Sequence, residues 1–242
     1  MTSIGIFGKL GRMGLAIADV APSLGTGVAG GVDIGDDPAP LARDADVLVD
    51  FSAPAALQAN LAAARAAGTP IVIGTTGLGR THHDLIDDAA REIAVLQTGN
   101  TSLGIALLCA LVRDAARRLG TDWDVEIVEM HHRQKVDAPS GTALMLGEAA
   151  AEGLGSPLSE IGVIGRAGLT GARAEGTIGF ASLRGGTIAG DHSVVLAGDG
   201  ERLELTHRAE DRAIFARGAV KAALWLKDQP PGRYTMDQVL GL

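Results

Sequence analysis

The sequence predicts an α/β fold in two parts. An N-terminal parallel sheet carries helices on both faces, and an inserted α+β domain follows, built on a mixed sheet. Three observations predict it. Over residues 1–101, short apolar runs alternate with Ala-rich helical stretches, the pattern of strands buried on both sides. After residue 119 the texture changes to alternating strands in hairpin succession, which form an antiparallel or mixed sheet rather than βαβ units. At the start of the chain, "GIFGKLGRMG" sets Gly8, Gly11 and Gly14 three apart, where an apolar run passes into a helical pattern.

Taken in order, "SIGIFG" (Ser3–Gly8) reads as the first strand, and a helix runs from Arg12 to about Val20, halted by Pro22. "GVAGGVD" (Gly27–Asp33) and "ADVLVDFS" (Ala45–Ser52) read as the next strands. Pro54 suits a first helical turn and Gly68 a left-handed stop, so a helix is expected from Pro54 through Ala67. "PIVIGTTG" (Pro70–Gly77) is a β-branched strand. A helix near Asp84–Glu92 follows, with His82-His83 exposed at its start, and then the strand "IAVLQTG" (Ile93–Gly99).

A long helix covers Ser102–Leu119. Beyond it "WDVEIVEMHH", "GTIGFASLRGG" and "HSVVLAGDGERLELTHRA" are strand-like, with a hairpin at Asp199-Gly200. A helix at about Asp211–Leu226 and a short tail end the chain. The expected domains are residues 1–101, completed by the returning segment at about 211–242, and residues 102–210.

Composition narrows the function. Of the 242 residues, 46% are apolar, which excludes a disordered chain. A formal charge of −8 argues against nucleic acid as a partner, because phosphate binding needs a basic stripe. The single cysteine, Cys109, lies in the apolar run "LGIALLCALV", so an internal disulfide is impossible and a reducing compartment is expected. No signal peptide and no membrane span are visible, which points to the cytoplasm. One cysteine and scattered histidines lack metal-ligand spacing, so no metal site is expected.

The Gly8–Gly14 run has a physical purpose at a strand–turn–helix junction. Glycine permits the tight turn, lets backbone approach a pyrophosphate, and lets helix and strand pack closely. The helix N-terminus adds unpaired N–H groups and a positive dipole end. The expected domain is therefore Rossmann-like. Asp33, closing the second strand, is placed to hold ribose hydroxyls. Its carboxylate favours NADH over NADPH, whose phosphate it repels, although Arg12 could still receive that phosphate. Gly74-Thr75-Thr76 and Thr98-Gly99-Asn100-Thr101 close later parallel strands and should line the same crevice.

The second constellation is "VEMHHRQKVDAPSGTAL". His131 and His132 are read as following a strand. Lys135 lies close by, and a helix begins at Ser140-Gly141-Thr142, whose exposed N–H groups suit a carboxylate. Two imidazoles, an ammonium and a helix N-terminus suit a small anion that must exchange a proton. From these residues alone, two other readings stay open: a different Rossmann-like dehydrogenase, and a non-catalytic NAD(H)-binding regulator.

"EMHHRQKVDAPSGT" (Glu129–Thr142) resembles the signature of the 4-hydroxy-tetrahydrodipicolinate reductase family, also called dihydrodipicolinate reductase, of lysine and diaminopimelate biosynthesis. "GKLGRMG" is similar to that family's opening motif. "GTIGFASLRGGTIAGDHSVVLAGDGERLELTHRA" and "FARGAVKAALWL" resemble its remaining parts, so the likeness covers essentially the whole chain. It implies an oxidoreductase that reduces a small cyclic dicarboxylate with NADH or NADPH and loss of water, assembled as a homotetramer.

The resemblance also implies roles. His131 would be the proton donor and acceptor, and Lys135 a proton-donating lysine. His132, Gly141 and Thr142 would contact substrate. Gly8, Lys9, Leu10, Gly11, Arg12, Met13, Asp33, Gly74, Thr75, Thr76, Thr98, Gly99, Asn100 and Thr101 would contact the cofactor. Thr101 stands where members of the family usually carry Phe or Met.

Overall fold

A computed structural model describes residues 1–242. The chain divides into two compact units, Met1–Leu103 with Ala213–Leu242, and Gly104–Arg212.

The first unit begins β1 (Ser3–Phe7), α1 (Arg12–Val20), β2 (Gly27–Val32), α2 (Pro38–Asp44) and β3 (Val47–Asp50). It continues through α3 (Leu57–Ala67), β4 (Ile71–Ile73), α4 (Arg80–Ala89) and β5 (Ala94–Gln97). The second unit holds α5 (Leu103–Leu119), except for its first residue, then β6 (Asp124–His131), α6 (Gly141–Leu154), α7 (Leu158–Ile161) and β7 (Gly162–Ile164). It ends with β8 (Ile178–Arg184), β9 (Asp191–Gly198) and β10 (Glu201–Arg208). The chain then returns to the first unit as α8 (Ala213–Leu226), β11 (Gly232–Tyr234) and α9 (Met236–Leu240).

The first sheet has six parallel strands in the order β11-β5-β4-β3-β1-β2. All four residues of β3 are buried, as a strand covered on both faces requires. Leu48, Ile71, Ile73 and Val95 form a core with Leu57, Leu61 and Ile86 from the helices. From β1 the chain goes one way to β2 and then back across to β3. The carboxyl ends of β1 and β3 therefore flank a topological switch point, where open α/β sheets bind ligands.

The second sheet is mixed, in the order β10-β9-β6-β8-β7. Strand β6 runs antiparallel to β9 and parallel to β8. Its burial alternates strictly, so Val125, Ile127, Glu129 and His131 share the inward face. The two isoleucine- and valine-bearing positions pack with Val194, Leu196, Ile178 and Phe180 against Leu108, Val112 and Leu146 of α5 and α6. Cys109 is buried in this core. No helix is long and apolar enough to cross a membrane.

The α/β architecture with a parallel and a mixed sheet is as the sequence predicts. The expected hairpin succession holds only for β9 and β10: β6 and β7 pair in parallel with β8, because α6 and α7 carry the chain across between β6 and β7. The other differences are local. Helix α2 is additional: Asp37 caps it by accepting from Ala39 N at 3.0 Å, and Pro38 opens it. Pro54 opens a short 3-10 turn, Pro54–Ala56, ahead of α3. Helix α4 starts at Arg80 rather than Asp84, because His82 Nδ1 accepts from Gly79 N at 3.0 Å and caps the earlier turn. His82 and His83 are accordingly half-buried rather than exposed, and His83 Nδ1 lies 3.0 Å from Arg233.

The expected C-terminal tail is structured. Strand β11 extends the parallel sheet beside β5, and α9 follows it. His131 is the last residue of β6, paired with Arg184 of β8, rather than a residue after the strand.

Candidate active site

In the first unit, the Gly-rich turn sits at the switch point. Gly8 has φ 85°, and a Cβ there would lie 2.8 Å from Phe51 O. A Cβ on Gly14 would lie 2.3 Å from Gly8 O and 2.7 Å from Lys9 Cα. Helix α1 thus packs so closely on the turn that only glycine fits. Gly11 caps α1 with no side-chain hydrogen bond, leaving the helix entrance to a ligand with acceptor oxygens. Asp33 Oδ2 accepts from Leu10 N at 2.7 Å and so ties β2 to the turn.

A cavity of about 540 Å³ opens here, lined by Gly8, Gly11, Asp33, Ile34, Phe51 and Asn60 among others. Of the residues expected to hold the cofactor, Gly8, Gly11 and Asp33 line it. Lys9, Leu10, Arg12 and Met13 belong to the same turn and helix entrance but do not line the cavity, and Leu10 and Arg12 are exposed.

Gly74-Thr75-Thr76 and Thr98–Thr101 lie at the ends of β4 and β5, successive steps away from the switch point, and are not part of this cavity. Gly74 N donates to Asp50 O at 2.9 Å, and a Cβ on Gly74 would strike the Phe51 ring at 2.2 Å. Thr76 is exposed. Thr98 Oγ1 donates to Asn100 O at 2.8 Å, closing a tight turn that leaves Gly99 exposed. Thr101 is buried, and its hydroxyl donates to Phe215 O at 2.7 Å. That hydroxyl anchors the approach to α8 and is already committed within the unit.

The sequence reading missed Asp50. This fully buried carboxylate accepts from Ser52 Oγ at 2.6 Å, Thr75 Oγ1 at 3.0 Å and Asn60 Nδ2 at 3.0 Å. It joins the loops after β3 and β4 into one rigid rim. The signal available was an acid ending the continuous apolar run "VLVD", where a buried charge demands partners.

In the second unit, His131 is buried at the end of β6, and His132 is half-exposed in the following turn. The two therefore have separate surroundings. His131 Nδ1 lies 2.5 Å from Glu129 Oε2, and Glu129 is 1% exposed. Arg184 grips both carboxylate oxygens, at 2.8 and 2.9 Å. Burial opposes ionisation of Glu129, but hydrogen bonds from Arg184, Ser182 and His131 outweigh it and hold the carboxyl at about 2. The His131 pKa is lowered as well on balance. Burial lowers its pKa, the Glu129 carboxylate raises it, and the Lys135 and Arg184 cations lower it further.

His192 of β9 meets the His131 ring edge-on, with centroids 5.1 Å apart. Burial, with His131 adding to it, pushes the His192 pKa down to about 4, so this imidazole is neutral. His192 Nε2 lies 3.1 Å from Ser140 Oγ, which in turn accepts from Ala143 N at 3.1 Å and caps α6. Gly141 is exposed and Thr142 half-buried in the first turn of α6. Lys135 Nζ pairs with Asp137 at 2.9 Å, so its charge is partly balanced. Arg184 also donates to Asp137 O at 2.7 Å and thereby holds the segment between β6 and α6. Glu129, Arg184 and His192 were not foreseen. Glu129 was legible as an acid two residues before His131 on one strand face, whereas the cross-strand neighbours were not.

Both halves of the chain match one family. The profile described as "Dihydrodipicolinate reductase, N-terminus" covers residues 2–101, and that described as "Dihydrodipicolinate reductase, C-terminus" covers 104–240. A 4-hydroxy-tetrahydrodipicolinate reductase of Zymomonas mobilis is 56% identical, over 99% of this chain and 97% of its own. A reductase of the same name from Rhodopseudomonas palustris is 53% identical, over 96% of this chain and 83% of its own. Among solved structures, a dipicolinate-bound dihydrodipicolinate reductase from Paenisporosarcina sp. TG-14 superposes with a TM-score of 0.78 at 20% identity, covering 97% of each chain. A DAP dehydrogenase of C. glutamicum does so with a TM-score of 0.57 at 14% identity, covering 98% of this chain and 93% of its own.

Proposed function

The chain belongs to the dihydrodipicolinate reductase family, and we propose on that basis that it reduces 4-hydroxy-tetrahydrodipicolinate to tetrahydrodipicolinate with a reduced nicotinamide dinucleotide, releasing water, in lysine and diaminopimelate biosynthesis. The observation that carries the proposal is the 56% identity to a reductase of that name across 99% of the chain. The setting proposed is the cytoplasm.

Residues 1–101 with the returning segment 211–242 hold the dinucleotide in this reading, and residues 102–210 hold the dicarboxylate. The first unit fits a dinucleotide because Gly8 and Gly14 leave a cradle that a Cβ would fill, at an uncapped helix entrance beside a 540 Å³ cavity. Gly8–Met13 would receive the pyrophosphate and Asp33 the ribose hydroxyls, with Gly74–Thr76 and Thr98–Thr101 as backbone contacts further along the rim. When bound, the reduced nicotinamide supplies a hydride.

The chain's own residues supply the rest. The substrate carries two carboxylates. Lys135 and the N–H groups at Gly141-Thr142 hold them electrostatically, and His132 adds a contact. The reaction takes up one hydride and one proton and releases the 4-hydroxyl as water. His131, held between the Glu129 carboxylate and the Lys135 and Arg184 cations, supplies the proton, and Lys135 is the alternative donor.

We assign NADH as the favoured cofactor, because the Asp33 carboxylate repels a phosphate at the ribose and Ile34 follows it. One experiment tests reaction and preference together. Substrate is incubated with NADH or NADPH deuterated at the transferred position, and the product is examined by mass spectrometry. Deuterium is expected in tetrahydrodipicolinate with either cofactor, at higher kcat/KM with NADH. An unlabelled or absent product counts against the function, and a preference of about tenfold or more for NADPH counts against the Asp33 assignment.

The second unit is proposed to assemble a homotetramer. Val128 and Met130, on the outward face of β6, stay partly exposed beside Leu183, which is 47% exposed. Light scattering is expected to give the mass of four chains, and a monomer mass would contradict the assembly.

A further inference from the structure

We propose that Glu129, clamped by Arg184, is a positioning residue for His131: it keeps the imidazole proton on Nδ1 and leaves Nε2 as the atom that exchanges a proton with substrate. The inference rests on the reading of His131 as the proton-transfer residue.

The register of β6 produces the pair. Glu129 and His131 are two residues apart and so share the inward face, where a lone carboxylate is costly. Both carboxylate oxygens are occupied. Oε1 accepts from Arg184 at 2.8 Å, and Oε2 accepts from Arg184 at 2.9 Å and faces His131 Nδ1 at 2.5 Å. An ionised carboxylate only accepts, so the hydrogen between Glu129 and His131 belongs to Nδ1. That fixes the tautomer and the ring plane together. Gly190 keeps the other ring nitrogen uncrowded, since a Cβ there would come within 3.0 Å of Nε2.

Arg184 does more than neutralise a buried acid. A bare carboxylate against Nδ1 would hold the imidazolium strongly and make it a poor donor. The guanidinium draws on the same oxygens and reduces that pull. The groups facing His131 are Glu129 on its own strand, Lys135 in the loop beyond, Arg184 on β8 and neutral His192 on β9, with His207 of β10 beside His192. Lys135 and Arg184 oppose Glu129. The two members of the clamp therefore act on His131 in opposite directions.

The test is a pH-resolved double-mutant cycle on the full-length protein. Glu129→Gln is expected to lower kcat roughly a hundredfold with KM values near wild type, because Glu129 does not reach substrate. The limb of the kcat/KM profile that reports His131 should move to lower pH in Glu129→Gln and to higher pH in Arg184→Gln. In a His131→Gln background, Glu129→Gln should cost nothing further, since its effect passes through the missing imidazole. Arg184→Gln provides the second reading should Glu129→Gln fold poorly.

Limb shifts in the same direction, no shift in either variant, or full additivity of the two losses would each overturn the positioning role. If His131→Gln alone retains wild-type turnover, the failure lies with the assignment of His131 itself, which the single variant reveals independently.

Discussion

Replacing His131 with glutamine is expected to lower turnover by roughly 10²–10⁴-fold, while NADH binding stays at the wild-type level. Glutamine keeps a polar group near Glu129 but cannot take up and return a proton. His131 is assigned to proton transfer and the Gly8–Gly14 turn to the dinucleotide, so the loss is expected in turnover rather than in cofactor affinity. Lys135→Ala should behave differently. Removing an anion clamp raises the substrate KM, whereas removing a proton donor lowers kcat. Steady-state kinetics with both substrates varied separates the two. Should both variants keep wild-type kcat and KM, the assignment of this site is wrong.

Gly14→Ala is the second large effect. The added Cβ would lie 2.3 Å from Gly8 O and 2.7 Å from both Lys9 Cα and Lys9 O. All three are backbone atoms, so no flexible side chain can swing aside. Either α1 lifts from the turn or the turn itself moves, and both spoil the cradle. NADH affinity, measured by titration calorimetry, is expected to fall by about a hundredfold or more. Unfolding free energy should fall by about 1–3 kcal/mol, the usual cost of overpacking. Gly27→Ala is the matched control: a Cβ there meets nothing within 4 Å, so affinity and stability should stay close to wild type. Wild-type NADH affinity in Gly14→Ala would remove the turn from the cofactor site.

What the sequence disclosed follows physical range. Helix α1 and the stop of α3 at Gly68 were legible because their signals are local: glycine spacing after a strand, and a left-handed glycine at φ 68°. Strand β11 was not, since three residues carry no periodicity and its place depends on pairing with β5. The site divides in the same way. His131 and Lys135 stand out in one short run, and Glu129 could be read from the period of two along β6. Arg184 and His192 become neighbours of His131 only through the registers of β8 and β9. The committed hydroxyl of Thr101 depends likewise on where α8 returns.

The decisive measurement is the loss of reduced-nicotinamide absorbance when the protein is added to freshly formed 4-hydroxy-tetrahydrodipicolinate, with NADH and NADPH run in parallel. Consumption that depends on both protein and substrate, faster with NADH, is the predicted result. No consumption above the protein-free rate with either cofactor would contradict the proposed reaction.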